Sequence, residues 1–152
     1  MKRLHPRVQV AWTVRAAVVA AVLTAATAAA ALFFDRPLWL AGAVGVVALV
    51  GGVALALLRY RLWRYEVRDD SLYLERGVLT RVRTVVPFVR VQHVDSARSP
   101  LQRVLGLASV VVYTAGSRGA DVSVPGLAPD DADDLRERLK RLAIDAEGDD
   151  AV

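Results

Sequence analysis

Two long apolar runs open the chain, and a pattern of alternating residues replaces them after about sixty positions. Residues 16–34, AAVVAAVLTAATAAAALFF, carry no charge over nineteen positions, and residues 38–58, LWLAGAVGVVALVGGVALALL, carry none over twenty-one. As helices they would extend about 28 Å and about 31 Å, matching a hydrocarbon core of about 30 Å. Only Asp35-Arg36-Pro37 separates them, a polar turn that suits a tight helical hairpin, with Pro37 fitting the first turn of the second helix. A buried hairpin in a soluble protein would need more surrounding mass than the rest of the chain supplies. A cleaved signal peptide would explain the first run alone and leave the second in place. Small residues recur at four-residue spacing, as Ala48-Gly52-Ala56 in one run and Ala21-Ala25-Ala29 in the other. Such stripes allow close helix approach, either within the hairpin or toward a partner.

Beyond residue 62 the period falls to two. Trp63, Tyr65 and Val67 alternate with Arg64, Glu66 and Arg68, which predicts a half-buried strand. Asp69-Asp70-Ser71 reads as a turn, and Leu72 and Leu74 share one face of a second strand ending at Gly77. Val82 to Val86 forms a third, interrupted by Pro87, and Val89, Val91 and His93 resume the alternation. In SPLQRVLG, residues 99–106, Ser99 is a good N-cap, Pro100 suits the first helical position, Gln102 completes a capping-box spacing and Gly106 supplies the stop. Residues 108–113 read as an inner strand, Gly116 to Gly119 as a turn, and Ala120 to Val124 as a returning strand. The last element, DDADDLRERLKRLA at 130–143, places Ala132, Leu135, Leu139 and Leu142 on a narrow apolar stripe. Its acids lie at the N-terminal end and its bases toward the C-terminal end, both favourable to the helix dipole.

Charge then orients the hairpin. Residues 1–58 hold five basic side chains and one acid, whereas 59–152 hold fifteen of each sign, so the net +4 belongs to the N-terminal part. Lys2, Arg3, Arg7 and Arg15 precede the first run, and Arg59, Arg61 and Arg64 follow the second. The turn holds only Arg36 beside Asp35. Positive-inside counting puts both termini in the cytoplasm of a multi-pass plasma-membrane protein. The expected organisation is a cytoplasmic segment at 1–15, spans at 16–34 and 38–58, an external turn at 35–37, a cytoplasmic domain at 59–143 and an acidic disordered tail at 144–152. Arg59, Arg61 and Arg64, with Trp12, Trp39 and Trp63, read as interfacial anchors. The balanced C-terminal domain disfavours nucleic acid as a partner.

The stretch PFVRVQHVDSARSPLQRVLGLASVVVYTAG, residues 87–116, resembles the prokaryotic membrane-anchored family with a pleckstrin-homology (PH)-like domain, the YdbS-like proteins. The matching positions are Pro87, Arg90, Val91-Gln92, Ser99-Pro100-Leu101-Gln102-Arg103, Leu105-Gly106-Leu107 and Thr114-Ala115-Gly116. The likeness covers roughly residues 60–143, and the Leu4-His5-Pro6 run with the helical hairpin fits the same layout. It implies a membrane α-helical hairpin plus a mainly-β PH-like domain, a strongly bent barrel or sandwich of about seven strands capped at one end by a C-terminal helix. It implies no established reaction. Pro87, Gln92, Ser99, Pro100, Gln102, Arg103 and Gly106 are expected to be architectural, with Gln92 and Arg103 bonding backbone across the loop.

The inventory of reactive groups is small. There is no cysteine, and His93 is the single histidine in the expected domain. His93 and Asp95 would share a strand face as an acid–base pair, yet no serine nearby is marked as activated, and His93 is expected to be a partly buried polar residue. The chain is therefore expected to be no enzyme, with no cofactor, metal or small-molecule substrate. Many PH domains bind phosphoinositides through a basic first strand-to-strand loop, whereas this chain has Asp69-Asp70 there. Arg81, Arg83, Arg90 and Arg103 are the candidate contacts for a partner or lipid. The expectation is a scaffolding module that presents its domain to a protein partner, either another membrane protein with related domains or a second copy. Alternatives are an anionic-lipid sensor and a structural subunit of a membrane complex.

Overall fold

In a computed structural model, residues 1–116 and 121–149 are described. They divide into two compact units: Gln9–Arg61, and Met1–Val8 together with the chain from Leu62 onward.

The first unit is a pair of helices, α1 (Val8–Phe33) and α2 (Trp39–Leu62), each long and apolar enough to cross a membrane. Asp35 ends α1 with a left-handed φ of 53°, and the Arg36 amide donates to the Ala31 carbonyl at 2.7 Å. That six-to-one bond satisfies an orphan carbonyl of the last turn. The helices meet along small residues. A Cβ on Gly45 would collide with Thr24, and one on Gly52 would lie 2.8 Å from the Ala16 Cβ. Ala48-Gly52-Ala56 thus belongs to the hairpin's own seam, opposite Ala16, Ala20, Thr24 and Ala31. Ala21, Ala25 and Ala29 instead lie on the exposed face of α1. Gly52→Leu is expected to destabilise the hairpin by about 1–3 kcal/mol, a typical overpacking penalty. Gly51→Leu should be neutral, because nothing lies within 4 Å of its Cβ position. Thermal melting of the detergent-solubilised chain compares the two.

The second unit contains six strands among the described residues: β1 (Arg64–Val67), β2 (Ser71–Arg76), β3 (Val82–Pro87), β4 (Val91–Ala97), β5 (Ala108–Thr114) and β6 (Val122–Leu127). They form two antiparallel meanders, β1-β2-β3 and β4-β5-β6, six strands where the family likeness implies a bent barrel of about seven. Pro87 ends β3, and a 3₁₀ turn at Phe88–Arg90 carries the chain into the second sheet. Of the residues the alternation selects, Trp63, Tyr65, Leu72, Leu74 and Val91 are buried, whereas Val89 in the 3₁₀ turn and His93 beyond the β4 bulge are exposed; Val110, Val112 and Val124 complete the inward set.

Residues 1–8 fill the interval between the two sheets. Lys2 forms an isolated antiparallel bridge with Tyr65 of β1, and the His5 amide donates to the Gly126 carbonyl of β6 at 2.8 Å. Leu4 and Val8 are buried. The sequence suggests only a cytoplasmic flank here, but these residues form a strap that joins the β1 edge to the β6 edge. It does not become a seventh strand because Pro6 lacks an amide proton and helix α1 begins at Val8. On the β6 side, Pro125 and Gly126 together oppose Ser109 in a bulge, with Gly126 at φ +64°.

Between β4 and β5, the short helix α3 (Pro100–Val104) starts with a complete capping box. The Ser99 amide donates to Gln102 Oε1 at 3.0 Å and the Gln102 amide to Ser99 Oγ at 3.3 Å. Gln102 Nε2 also donates to the buried Ser109 hydroxyl at 2.7 Å, fixing the helix to β5. Helix α4 (Pro129–Asp149) lies against β4 and β5 through Ala132, Leu135, Leu139 and Ala143. It runs past residue 143, so the expected disordered tail is helical to Asp149, and residues 150–152 lie outside the described part. The expected turn at 116–119 and the start of the returning strand at Ala120 also fall largely outside it.

Candidate functional site

The His93–Asp95 pair expected from their spacing is present on β4, with Nε2 and Oδ1 2.7 Å apart. Both side chains are exposed, so His93 is not the partly buried residue expected of it. Its ring lies 5.9 Å from that of Tyr113, its direct cross-strand neighbour on β5. Among the described residues no hydroxyl bonds to His93, and no group of three or more histidines and carboxylates is placed to hold a metal. Ser99 is occupied as the α3 cap.

This pair forms one wall of an open groove between β4 and α4, about 430 Å³ in volume. Val91 and Ile144 supply its apolar part, and Ile144 is 58% exposed. Arg136 and Lys140 alternate with Glu137 and Glu147 along the helical wall. Gln92 is the extra residue of a bulge between Val91 and His93, exposed toward the same groove. Neither Gln92 nor Arg103 makes the expected side-chain bond to backbone among the described residues. The bulge, rather than a hydrogen bond, accounts for the position of Gln92.

A second groove of about 680 Å³ runs between the strap and the start of α4, with Lys2, Tyr65, Asp131 and Arg138 on its walls. Burial raises the pKa of the Tyr65 hydroxyl, and the Asp131 carboxylate raises it further. Glu66 is shifted down by a hydrogen bond from the Met1 amine, then by that amine's charge, with a smaller contribution from Arg68.

The four candidate arginines do not form one surface. Arg83 pairs across the strands with Glu75 at 3.6 Å, Arg90 lies in the 3₁₀ turn and Arg103 on α3. Arg81 precedes β3 and shares a cavity of about 210 Å³ with Arg64, an expected interfacial anchor, and with Arg76. Their convergence follows from register: Arg64 pairs with Glu75 and Arg76 with Val82, so the start of β1 and the end of β2 coincide. Among the expected anchors, Trp12 lies beneath Arg59, whose guanidinium carbon is 4.6 Å from the ring centroid. Trp39 is exposed at the start of α2, and Arg59 and Arg61 complement the dipole of its last turn. Trp63 is 2% exposed and packs edge-on to Tyr65, so it is a core residue and unavailable to lipid.

A family model described as Bacterial PH domain matches residues 9–143. The chain belongs to the bacterial PH domain family. Transmembrane protein YdbS of Bacillus subtilis is 34% identical over 139 residues, which is 87% of this chain and 86% of YdbS. Transmembrane protein YdbT of the same organism is 21% identical over 88 residues, 57% of this chain but 18% of YdbT. No solved structure matches. The family model starts at residue 9, so the strap that completes this PH-like unit precedes the matched region. The transmembrane relatives and the two apolar helices together place this family member in a membrane.

Proposed function

We propose that this protein is a membrane-anchored, non-catalytic binding module. Its two helices span the plasma membrane and its PH-like unit is held at the cytoplasmic face for a protein partner. Parity supports the two crossings. Residues 1–8 and the chain from Leu62 onward belong to one folded unit, so both ends of the helical pair are on the same side of any bilayer. The excess of Lys and Arg outside the Asp35-Arg36-Pro37 turn favours the cytoplasm for that side.

The observation that carries the partner assignment is the β4–α4 groove. Its exposed apolar centre at Ile144 is bordered by Arg136 and Lys140 on one hand and Glu137, Glu147 and Asp95 on the other. A phosphorylated headgroup would meet carboxylates as often as cations there, whereas a polypeptide offers groups of both signs. The similarity of two transmembrane proteins from one organism to this chain supports a partner of related build. A photo-crosslinking residue at Ile144 in native membranes should give a discrete protein adduct that Lys140→Glu suppresses. Co-expression of two differently tagged copies distinguishes self-association from a second protein. No adduct from Ile144, with adducts from Asp70 instead, would remove the groove from consideration.

A further inference from the structure

The β2–β3 hairpin lies at the end of the first sheet where the chain leaves α2. Helix α2 ends at Leu62, only Trp63 intervenes, and β1 starts at Arg64 opposite Glu75, one residue from the end of β2. The hairpin turn is made by Gly77 at φ +108°, where a Cβ would collide with the Thr80 carbonyl. At its tip Leu79 is 95% exposed, the most exposed large apolar side chain among the described residues. Behind the tip is the cavity that Arg64, Arg76 and Arg81 line with Glu75. None of these three arginines has an ion-pair partner among the described residues, while Glu75 is engaged by Arg83. The opposite end of the sheet is acidic, because the β1–β2 turn presents Asp69 and Asp70.

An apolar tip backed by unpaired guanidinium groups suits the interface of an anionic bilayer. The leucine enters the headgroup and acyl boundary while the arginines meet lipid phosphate. An isolated apolar tip on a soluble surface would have no such partner, but this one belongs to the end of the sheet at which β1 leaves the membrane helix, where Arg64, two residues past α2, pairs with Glu75. We propose that the β2–β3 hairpin docks on anionic phospholipid, with Leu79 inserted and Arg64, Arg76 and Arg81 binding a lipid phosphate. This docking fixes which end of the PH-like unit faces the membrane. The lipid contact is thus at the end of the sheet opposite the β1–β2 loop, and the β4–α4 groove is left to a protein.

The chain has no cysteine, so single probes can be placed without a background. A nitrobenzoxadiazole label at Thr80→Cys, with Leu79 intact, and a second at Asp70→Cys would be compared in full-length protein reconstituted into phosphatidylcholine vesicles with and without phosphatidylglycerol. With phosphatidylglycerol, the Thr80 probe should shift to the blue, be quenched by a lipid-borne nitroxide and be shielded from iodide. The Asp70 probe should remain open to iodide in both. Arg76→Gln with Arg81→Gln should lower the docked-to-free ratio about 25-fold at low salt, about fivefold per arginine. Leu79→Ser should abolish the blue shift with the melting temperature unchanged, given the exposure of the side chain. Inorganic phosphate added to phosphatidylcholine vesicles should not shield the probe. Equal iodide access at Thr80 and Asp70 in phosphatidylglycerol, or shielding that is indifferent to both lipid charge and the arginine substitutions, would overturn the proposal. Either outcome leaves the Ile144 crosslink unaffected, so the two assignments fail separately.

Discussion

Gly126→Val should destabilise the PH-like unit by about 2–5 kcal/mol and release the N-terminal strap. Two penalties combine at this position. A non-glycine residue at φ +64° carries a left-handed backbone cost of about 1–2 kcal/mol. The new Cβ would also lie 2.6 Å from the Cβ of Val8, which is buried, and overpacking of this kind costs about 1–3 kcal/mol. The Gly126 carbonyl accepts the His5 amide, so a shift of this bulge loosens the strap where it meets β6. Chemical unfolding should register the loss, and limited proteolysis should find the first eight residues newly cleavable. Val8→Ala in a Gly126→Ala background should recover only part of the packing component, because the alanine Cβ would stay 2.6 Å from the new one, and none of the backbone component. Gly148→Ala, with nothing near its Cβ position, should be neutral or slightly stabilising. A Gly126→Val protein as stable as its parent, with a protected strap, would contradict this account of the β6 edge.

The second large effect is expected at Trp63, where truncation to alanine should cost about 3–5 kcal/mol, as for other buried aromatics. The substitution also separates two roles for this residue. As an interfacial anchor it would tolerate Trp63→Tyr, because tyrosine is equally at home among headgroups. As a buried neighbour of Tyr65 it should not, since the new hydroxyl would be desolvated in the core. Thermal unfolding should therefore fall clearly for both variants. Unchanged melting accompanied by altered membrane insertion would return Trp63 to the interface.

These two residues also show where a sequence stops being informative. The apolar helices, the inward faces of β1, β2 and β5 and the α3 capping box are legible because each rests on a local period or a short fixed spacing. Trp63 is ambiguous because it stands at the junction of two patterns, and either would claim it. The helix seam is hidden by composition: ten of nineteen residues at 16–34 are alanine, so Ala21-Ala25-Ala29 looks as suitable as the true contact through Ala16, Ala20 and Thr24. The strap has too few extended residues for alternation to show, and its bonds reach partners 63 and 121 positions away. Similarly, Arg64, Arg76 and Arg81 become neighbours only once the β1–β2–β3 register is known. The candidate arginines Arg81, Arg83, Arg90 and Arg103 are therefore scattered, and the groove beside Ile144 depends on a helix longer than its apolar stripe suggests.

The strap has a consequence for how the protein is made. Its residues leave the ribosome well before Tyr65 and Gly126, which hold them, are translated. Pairing over such distances carries a large loop-closure cost and comes late in folding. A nascent chain whose hairpin inserts only once would leave the strap stranded across the lipid from its acceptor edges. On the proposed two-span topology, docking of the strap on β1 and β6 is thus a built-in check on biogenesis: only a correctly threaded chain can finish folding.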